Sequence, residues 1–219
     1  DMPYLYELCD RYGIYVMDEA CQESHGYGIG NKELGDNPLW TLAHEDRAVS
    51  LVQRDKNHPC ILFWSLGNEG GSGCNMKAMY DTICALDSTR LPFCDSDRRY
   101  SALWDDSYLH PTRLEAEARR INDRPFFMRE YTHAMGNSNG AMHKYTNLAR
   151  ANEKYQGGFI WDFIDQAILV KDEGYKFDEA QASEFALKYY VNTQFKDTYL
   201  ADPAINVVTS VTNDIVGID

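Results

Sequence analysis

The stretch Ile61-Leu62-Phe63-Trp64-Ser65-Leu66-Gly67-Asn68-Glu69 is an apolar run of strand length that stops on an Asn-Glu pair and then falls into Gly70-Gly71-Ser72-Gly73. A strand buried on both faces reads as a continuous apolar run, and a glycine cluster reads as a loop. The pattern places a carboxylate at the carboxyl end of a core strand, the end at which α/β barrels keep their chemistry. It recurs at Phe126-Phe127-Met128-Arg129-Glu130-Tyr131, a short apolar strand broken by Arg129 that also delivers a glutamate at its end. Two glutamates at two strand ends suit acid/base or nucleophilic work on a glycosidic bond. The opposing reading is a solvated surface: the chain carries 34 Asp plus Glu against 21 Lys plus Arg, and structural ion pairs account for most carboxylates of this kind.

The rest of the chain alternates helix and strand. A helix over residues 5–12 is stopped by Gly13, and the strand Ile14-Tyr15-Val16-Met17 runs into Asp18-Glu19-Ala20. A glycine-rich loop spans 22–38. A helix over 40–54 is broken by Asn57-His58-Pro59 before the Ile61 strand. Then come a helix over 75–86, weak strands at 90–94 and 104–109, and a charged amphipathic helix over 112–121. The Phe126 strand, a helix over 140–152 and a strand at 157–161 follow. Alternation of this kind indicates parallel βαβ units. Six strands are two short of an eight-stranded (β/α)₈ barrel, and 219 residues fall below the about 250 such a barrel typically takes. The fold class expected is therefore α/β, a (β/α)₈ TIM-type barrel that is incomplete, filling residues 1–170. A tail over 171–219 is expected to hold a helix at 178–190 and, at 204–218, either a strand or an irregular terminus. The opening Asp1-Met2-Pro3-Tyr4 reads as mid-domain sequence without a signal peptide.

A net charge of −13 argues against nucleic acid and against an anionic membrane surface. No apolar run approaches the ~20 residues of a membrane span. The six cysteines form no CxxC pair and read as reduced, with Cys60 and Cys84 as packed thiols. Fifteen Tyr, nine Phe and four Trp suit either a well-packed core or faces on which sugar rings stack.

Several motifs occur in order over roughly residues 1–170. They are Leu8-Cys9-Asp10-Arg11-Tyr12-Gly13, Asp18-Glu19-Ala20, Glu23-Ser24-His25-Gly26 and Arg54-Asp55-Lys56-Asn57-His58-Pro59. Trp64-Ser65-Leu66-Gly67-Asn68-Glu69, Glu130-Tyr131-Thr132-His133-Ala134-Met135-Gly136-Asn137 and Gly157-Gly158-Phe159-Ile160-Trp161-Asp162 complete the set. Together they resemble the catalytic domain of the large bacterial β-galactosidases of glycoside hydrolase family 2. The resemblance implies a retaining hydrolase of terminal β-D-galactosyl residues, with Glu69 as general acid/base and Glu130 as nucleophile. Retention asks for carboxyl groups about 5–5.5 Å apart. It further implies Tyr108 beside the nucleophile, although the context Asp106-Ser107-Tyr108 departs from the family pattern. Asn68 would bond the sugar 2-hydroxyl, while His133 and Trp161 would serve the galactose subsite. Glu23, His25 and Glu69 would bind Mg²⁺, with Mn²⁺ also admissible.

Asp18 and Glu19 are expected to organise the site, and His58 to be structural. In this family two earlier strands precede the first motif seen here, and a monovalent-cation site lies partly in an N-terminal domain that this sequence lacks. The expected partners are therefore a β-galactoside and the remaining domains of a longer enzyme, with homo-oligomers admissible and the cytoplasm the leaning for an otherwise unassigned compartment. Alternatives are a β-glucuronidase or β-mannosidase of the same family, or a non-catalytic sugar-binding or assembly module. A sugar acid would need a basic residue at its carboxylate, and none stands near the motifs.

Overall fold

The computed structural model describes residues 2–134 and 139–162, together with the backbone of 168–170 and 206–208. The chain divides into two compact units, residues 1–106 with 118–127 and residues 107–117 with 128–219. No helix among the described residues is long and apolar enough to cross a membrane.

The first unit opens with helix α1, Pro3–Tyr12, with Pro3 at its first turn, where the missing N–H is not needed. Gly13 closes it in the left-handed conformation (φ 71°), its N–H bonded to the Cys9 carbonyl. The N–H of Ile14 returns to the same carbonyl at 3.0 Å. The chain therefore spends two further residues leaving the helix, and strand β1 is Val16–Glu19. The sequence placed it at 14–17; Asp18, a charged residue, in fact occupies the most buried strand position.

Strand β2, Ile61–Ser65, pairs in parallel with β1 and with β3, Leu91–Phe93, giving the order β1-β2-β3. The register sets Glu19 opposite Ser65 and Ser65 opposite Phe93, so three strands finish level. Helices α2, Thr41–Asp55, and α3, Cys74–Leu86, pack on each other. The core joins Leu51 and Val52 of α2, Met76, Met79 and Ile83 of α3, and Ile61 and Trp64 of β2. Trp64 is wholly buried, and its Nε1 donates to Asp87 Oδ2 at 2.9 Å. Burial opposes ionisation of Asp87, but hydrogen bonds from Thr89, Arg90 and Trp64 outweigh it and hold the carboxyl well below the usual carboxylate range.

Strands β4, Trp104–Ser107, β5, Phe126–Tyr131, and β6, Tyr155–Ile160, form a second sheet in the order β4-β5-β6. The division between units runs through β4, β5 and helix α4, Pro111–Arg120. In the second unit, helix α5, Met142–Ala151, brings the Tyr145 ring to 4.7 Å from Tyr131, and Tyr145 donates to the Leu109 carbonyl at 3.0 Å. A Cβ at Gly158 would lie 2.6 Å from the Met128 carbonyl oxygen, so only glycine lets β6 run this close.

In a third pairing β7, Ile168–Val170, runs antiparallel to β8, Asn206–Val208; β8 falls in the range 204–218 expected as a strand or an irregular terminus, whereas β7 and the pairing were not expected. The helix expected at 178–190 lies outside the described residues. All six cysteines are thiols, and Cys60 is buried as expected, but Cys84 is exposed. Helix α3 buries the face carrying Asn75, Met76, Met79 and Ile83, and Cys84 lies one position off it.

Candidate active site

The level strand ends of the first unit converge their loops. After β1, the Ala20 N–H bonds the Ser65 carbonyl at 3.0 Å; after β2, the Asn68 N–H bonds the Gln22 carbonyl at 3.0 Å, and Glu23 and Asn68 form a parallel bridge. Gln22, 8% exposed, is a peg inside the turn. A Cβ at Gly70 would fall 1.9 Å from its Oε1 and one at Gly67 (φ 144°) 2.4 Å from its carbonyl oxygen, while its Nε2 donates to the Gly70 carbonyl at 3.3 Å. Between these glycines Glu69 is held at φ 48°, a left-handed conformation that non-glycine residues avoid and that collects at functional sites.

The turn aims Glu69 at His25, whose Nδ1 lies 2.5 Å from Glu69 Oε2. His25 starts a 3-10 turn, His25–Tyr27, and Asn31 secures that loop by donating to the Ser24 and Gly28 carbonyls at 3.1 and 2.7 Å. Glu23, His25 and Glu69 each offer a ligand atom, and those atoms lie within 4.8 Å of one another, the one such cluster among the described residues. Two carboxylates and an imidazole, with water completing the shell, are an acceptable set for Mg²⁺ or Mn²⁺.

Behind this cluster, Ser65 Oγ donates to Glu19 Oε2 at 2.8 Å. Asp18 turns the other way and accepts from the Tyr6 hydroxyl at 2.6 Å. Arg54 grips Asp55 through Nε and Nη2, at 2.8 and 2.5 Å, and its Nη2 also reaches the Tyr6 oxygen at 3.3 Å. Burial raises the Asp18 pKa to about 6, with Asp55 adding to the rise and Tyr6 and Arg54 opposing it. His58 binds Asp10 at 2.6 Å and lies against Tyr6, a structural placement.

The second unit gathers the remaining candidates. Glu130 lies near the end of β5, and the Tyr108 hydroxyl donates to its Oε2 at 2.5 Å. The Tyr108 N–H bonds the Glu130 carbonyl at 2.9 Å, so backbone and side chain are both fastened to the glutamate. Tyr108 and His133 share the left-handed conformation of Glu69, at φ 54° and 50°. Their rings meet edge to face at 5.4 Å. Trp161 follows β6: its N–H bonds the Tyr131 carbonyl at 3.0 Å, its own carbonyl accepts from Ala134, and its side chain is partly exposed. The structure thus groups Glu23, His25, Asn68 and Glu69 within the first unit and Tyr108, Glu130, His133 and Trp161 within the second.

Within each unit, helices alternate with strands, and carboxylates and an imidazole stand at or just past the strand ends, the layout of a (β/α)₈-type domain. The chain belongs to the family described as glycosyl hydrolases family 2, TIM barrel domain, which matches residues 1–189. A β-galactosidase of Pectobacterium atrosepticum is 41% identical over 186 residues, covering 78% of this chain and 18% of that protein. A β-galactosidase of Halalkalibacterium halodurans is 43% identical over 180 residues, covering 76% and 18%. The chain spans 18% of the length of these relatives. Among solved structures, an uncultured Clostridium sp. β-glucuronidase matches with a TM-score of 0.57 at 19% identity, over 73% of this chain and 35% of that one. The Ruminococcus gnavus β-glucuronidase also gives 0.57, at 17% identity, over 74% and 35%. At such identities the structural likeness speaks to the fold alone.

Two residues of the first cluster escaped the sequence reading. Gln22 carries no pattern that marks it as a peg. Asp95 accepts the Glu69 N–H at 2.8 Å and had a usable signal: like Glu69, it is a carboxylate just past a strand.

Proposed function

We propose that the chain carries the catalytic centre of a retaining β-galactosidase that removes terminal β-D-galactosyl residues by double displacement. The observation that carries the reading is the meeting of Glu69 with His25 and Glu23 past the end of β2, at positions matching the family's motifs. The 41–43% identity to proteins named β-galactosidase supports galactose over other sugars.

In the first step a Glu130 carboxylate oxygen attacks the anomeric carbon as the bond to the leaving oxygen breaks, and Glu69 delivers its proton to that oxygen. In the second step Glu69 takes a proton from water, whose oxygen displaces Glu130 and restores the original anomeric configuration. The Tyr108 hydroxyl, donating to Glu130 Oε2, fixes the carboxylate plane and leaves its other oxygen to attack. Asn68 would bond the 2-hydroxyl, a contact that strengthens in the transition state. His133 and Trp161 would hold the galactose, the indole presenting an apolar face to the ring. Mg²⁺ or Mn²⁺ held by Glu23, His25 and Glu69 would supply positive charge that offsets the crowding of carboxylates and orders the acid/base residue.

The test uses the intact protein with aryl β-galactoside, β-glucuronide and β-mannoside, followed by trapping with an activated 2-deoxy-2-fluoro-galactoside. Galactoside hydrolysis and a fluoro-galactosyl adduct on the Glu130 peptide are expected. Turnover of the glucuronide or mannoside without the galactoside, or an adduct elsewhere, would overturn the reading.

A further inference from the structure

We infer that Asp95 is a positioning residue for Glu69, holding the acid/base side chain in its working direction through the backbone; this rests on the role of Glu69 proposed above. Asp95 stands two residues beyond Phe93, the last β3 residue in register with β2. The Leu66 N–H bonds the Phe93 carbonyl at 2.9 Å and carries the pairing one residue further. Cys94, 1% exposed, anchors the start of the Asp95 loop in the core. The two loops then separate, and a side chain spans the gap: Asp95 Oδ2 accepts the Glu69 N–H at 2.8 Å. Its Oδ1 accepts from Ser96 Oγ at 2.7 Å, which fixes the carboxylate plane.

The geometry explains why a clamp is needed here. Glu69 is the one non-glycine residue among Gly67-Asn68-Glu69-Gly70-Gly71 held at positive φ, and glycines flank it on both sides of Asn68-Glu69. A flexible turn with a strained centre relaxes unless its surroundings define it. The carbonyl of Gln22 fixes Asn68 on one side, and Asp95 fixes the next amide from the other. Rotation about φ and ψ of Glu69 would swing its carboxyl away from His25, and misplacement of a reacting group by ~1 Å costs about 10²-fold in rate. A hydrogen bond from an amide to a carboxylate, here half-buried, is of the strong, charge-assisted kind.

The experiment compares Asp95→Ala and Asp95→Asn in the intact protein, using galactosides with poor (alkyl) and activated (dinitrophenyl) leaving groups. Asparagine keeps an oxygen acceptor where Ala has none. For Asp95→Ala, kcat/KM is expected to fall about 10²-fold on the alkyl galactoside, which needs the proton from Glu69, and far less on the dinitrophenyl galactoside. Asp95→Asn should recover most of that loss. Hydrogen exchange at the Glu69 amide, read without reference to activity, should accelerate in the Ala variant and stay protected in the Asn variant. Equal losses on both substrates, no loss, an Asn variant as impaired as Ala, or unchanged amide exchange would each overturn the assignment. If Glu69→Gln itself shows no dependence on the leaving group, the acid/base role of Glu69 fails and the Asp95 proposal falls with it. A normal Glu69→Gln pattern with a flat Asp95→Ala response sinks the Asp95 proposal alone.

Discussion

Asp18→Asn should stabilise the first unit at neutral pH and leave it almost unchanged in acid. Asp18 is 3% exposed. One oxygen accepts from Tyr6; burial first, and then the neighbouring Asp55 carboxylate, to which a protonated Asp18 can donate, oppose its ionisation. The folded-state pKa of about 6 stands above the ordinary 3.8, so the neutral carboxyl is the form that the fold favours. Its contribution is fully present below 3.8 and is lost as pH rises through 6. A rise of that size is worth about 3 kcal/mol, the most that ionising Asp18 subtracts from stability near pH 7.5. Asparagine is isosteric, cannot ionise, still accepts from Tyr6, and turns an amide donor towards Asp55. The expected gain stays below about 1 kcal/mol at pH 4 and approaches about 3 kcal/mol at pH 7.5. Urea unfolding across pH 4–8, with β1 hydrogen exchange as a local probe, measures it. An Asn variant that is less stable than the parent at pH 7.5, or a difference that does not change with pH, would refute the buried-proton argument.

Glu130→Gln should abolish glycosyl-enzyme formation, whereas Glu69→Gln should spare activated aryl galactosides and recover with azide to give a retained product; equal losses without rescue would refute the separate roles. Gly70→Ala should cost about 1–3 kcal/mol by overpacking against the Gln22 peg, and Gln22→Ala in the same chain should return part of it; a neutral Gly70→Ala in urea unfolding would remove the peg. Mn²⁺ titrated into metal-stripped protein and followed by electron paramagnetic resonance should bind with an affinity that His25→Ala lowers, and indifference to that substitution would refute the ligand set. A crystal structure of the intact protein should place the Glu69 and Glu130 carboxyl groups about 5–5.5 Å apart; about 8 Å or more would indicate inversion.

The strand at Ile61–Ser65 and the helices around it were legible because their apolar spacing is what burial requires, and Trp64 and Ile61 do lie in the core. Strand β1 was placed two residues early for the opposite reason: its innermost residue is Asp18, admitted by the Tyr6 hydroxyl 12 positions back. Asn75 is similar, fully buried yet satisfied by the Leu34 and Asn37 carbonyls and Thr41, all on the loop and helix start that read only as glycine-rich sequence and periodicity. The candidate residues were legible from motifs, but their arrangement was not. Glu69 meets His25 across 44 positions only because Gln22 packs inside a glycine turn and Asp95 reaches over from the next strand. Local propensity carries no information about such a closure.

The placement of the tryptophans has a spectroscopic consequence. Trp64 is sealed from water, with Arg90 5.3 Å above its ring and Asp87 on its indole N–H, so it should emit at the blue end of the indole range. Trp161, alone of the four in the second unit, is 38% exposed and should emit further to the red and be open to iodide quenching. Trp40 in the first unit is 46% exposed and emits to the red as well. In a Trp40→Phe variant the blue edge of the emission therefore reports the first unit through Trp64, and quenching by iodide reports Trp161. A denaturant titration following both would tell whether the units melt together or one after the other.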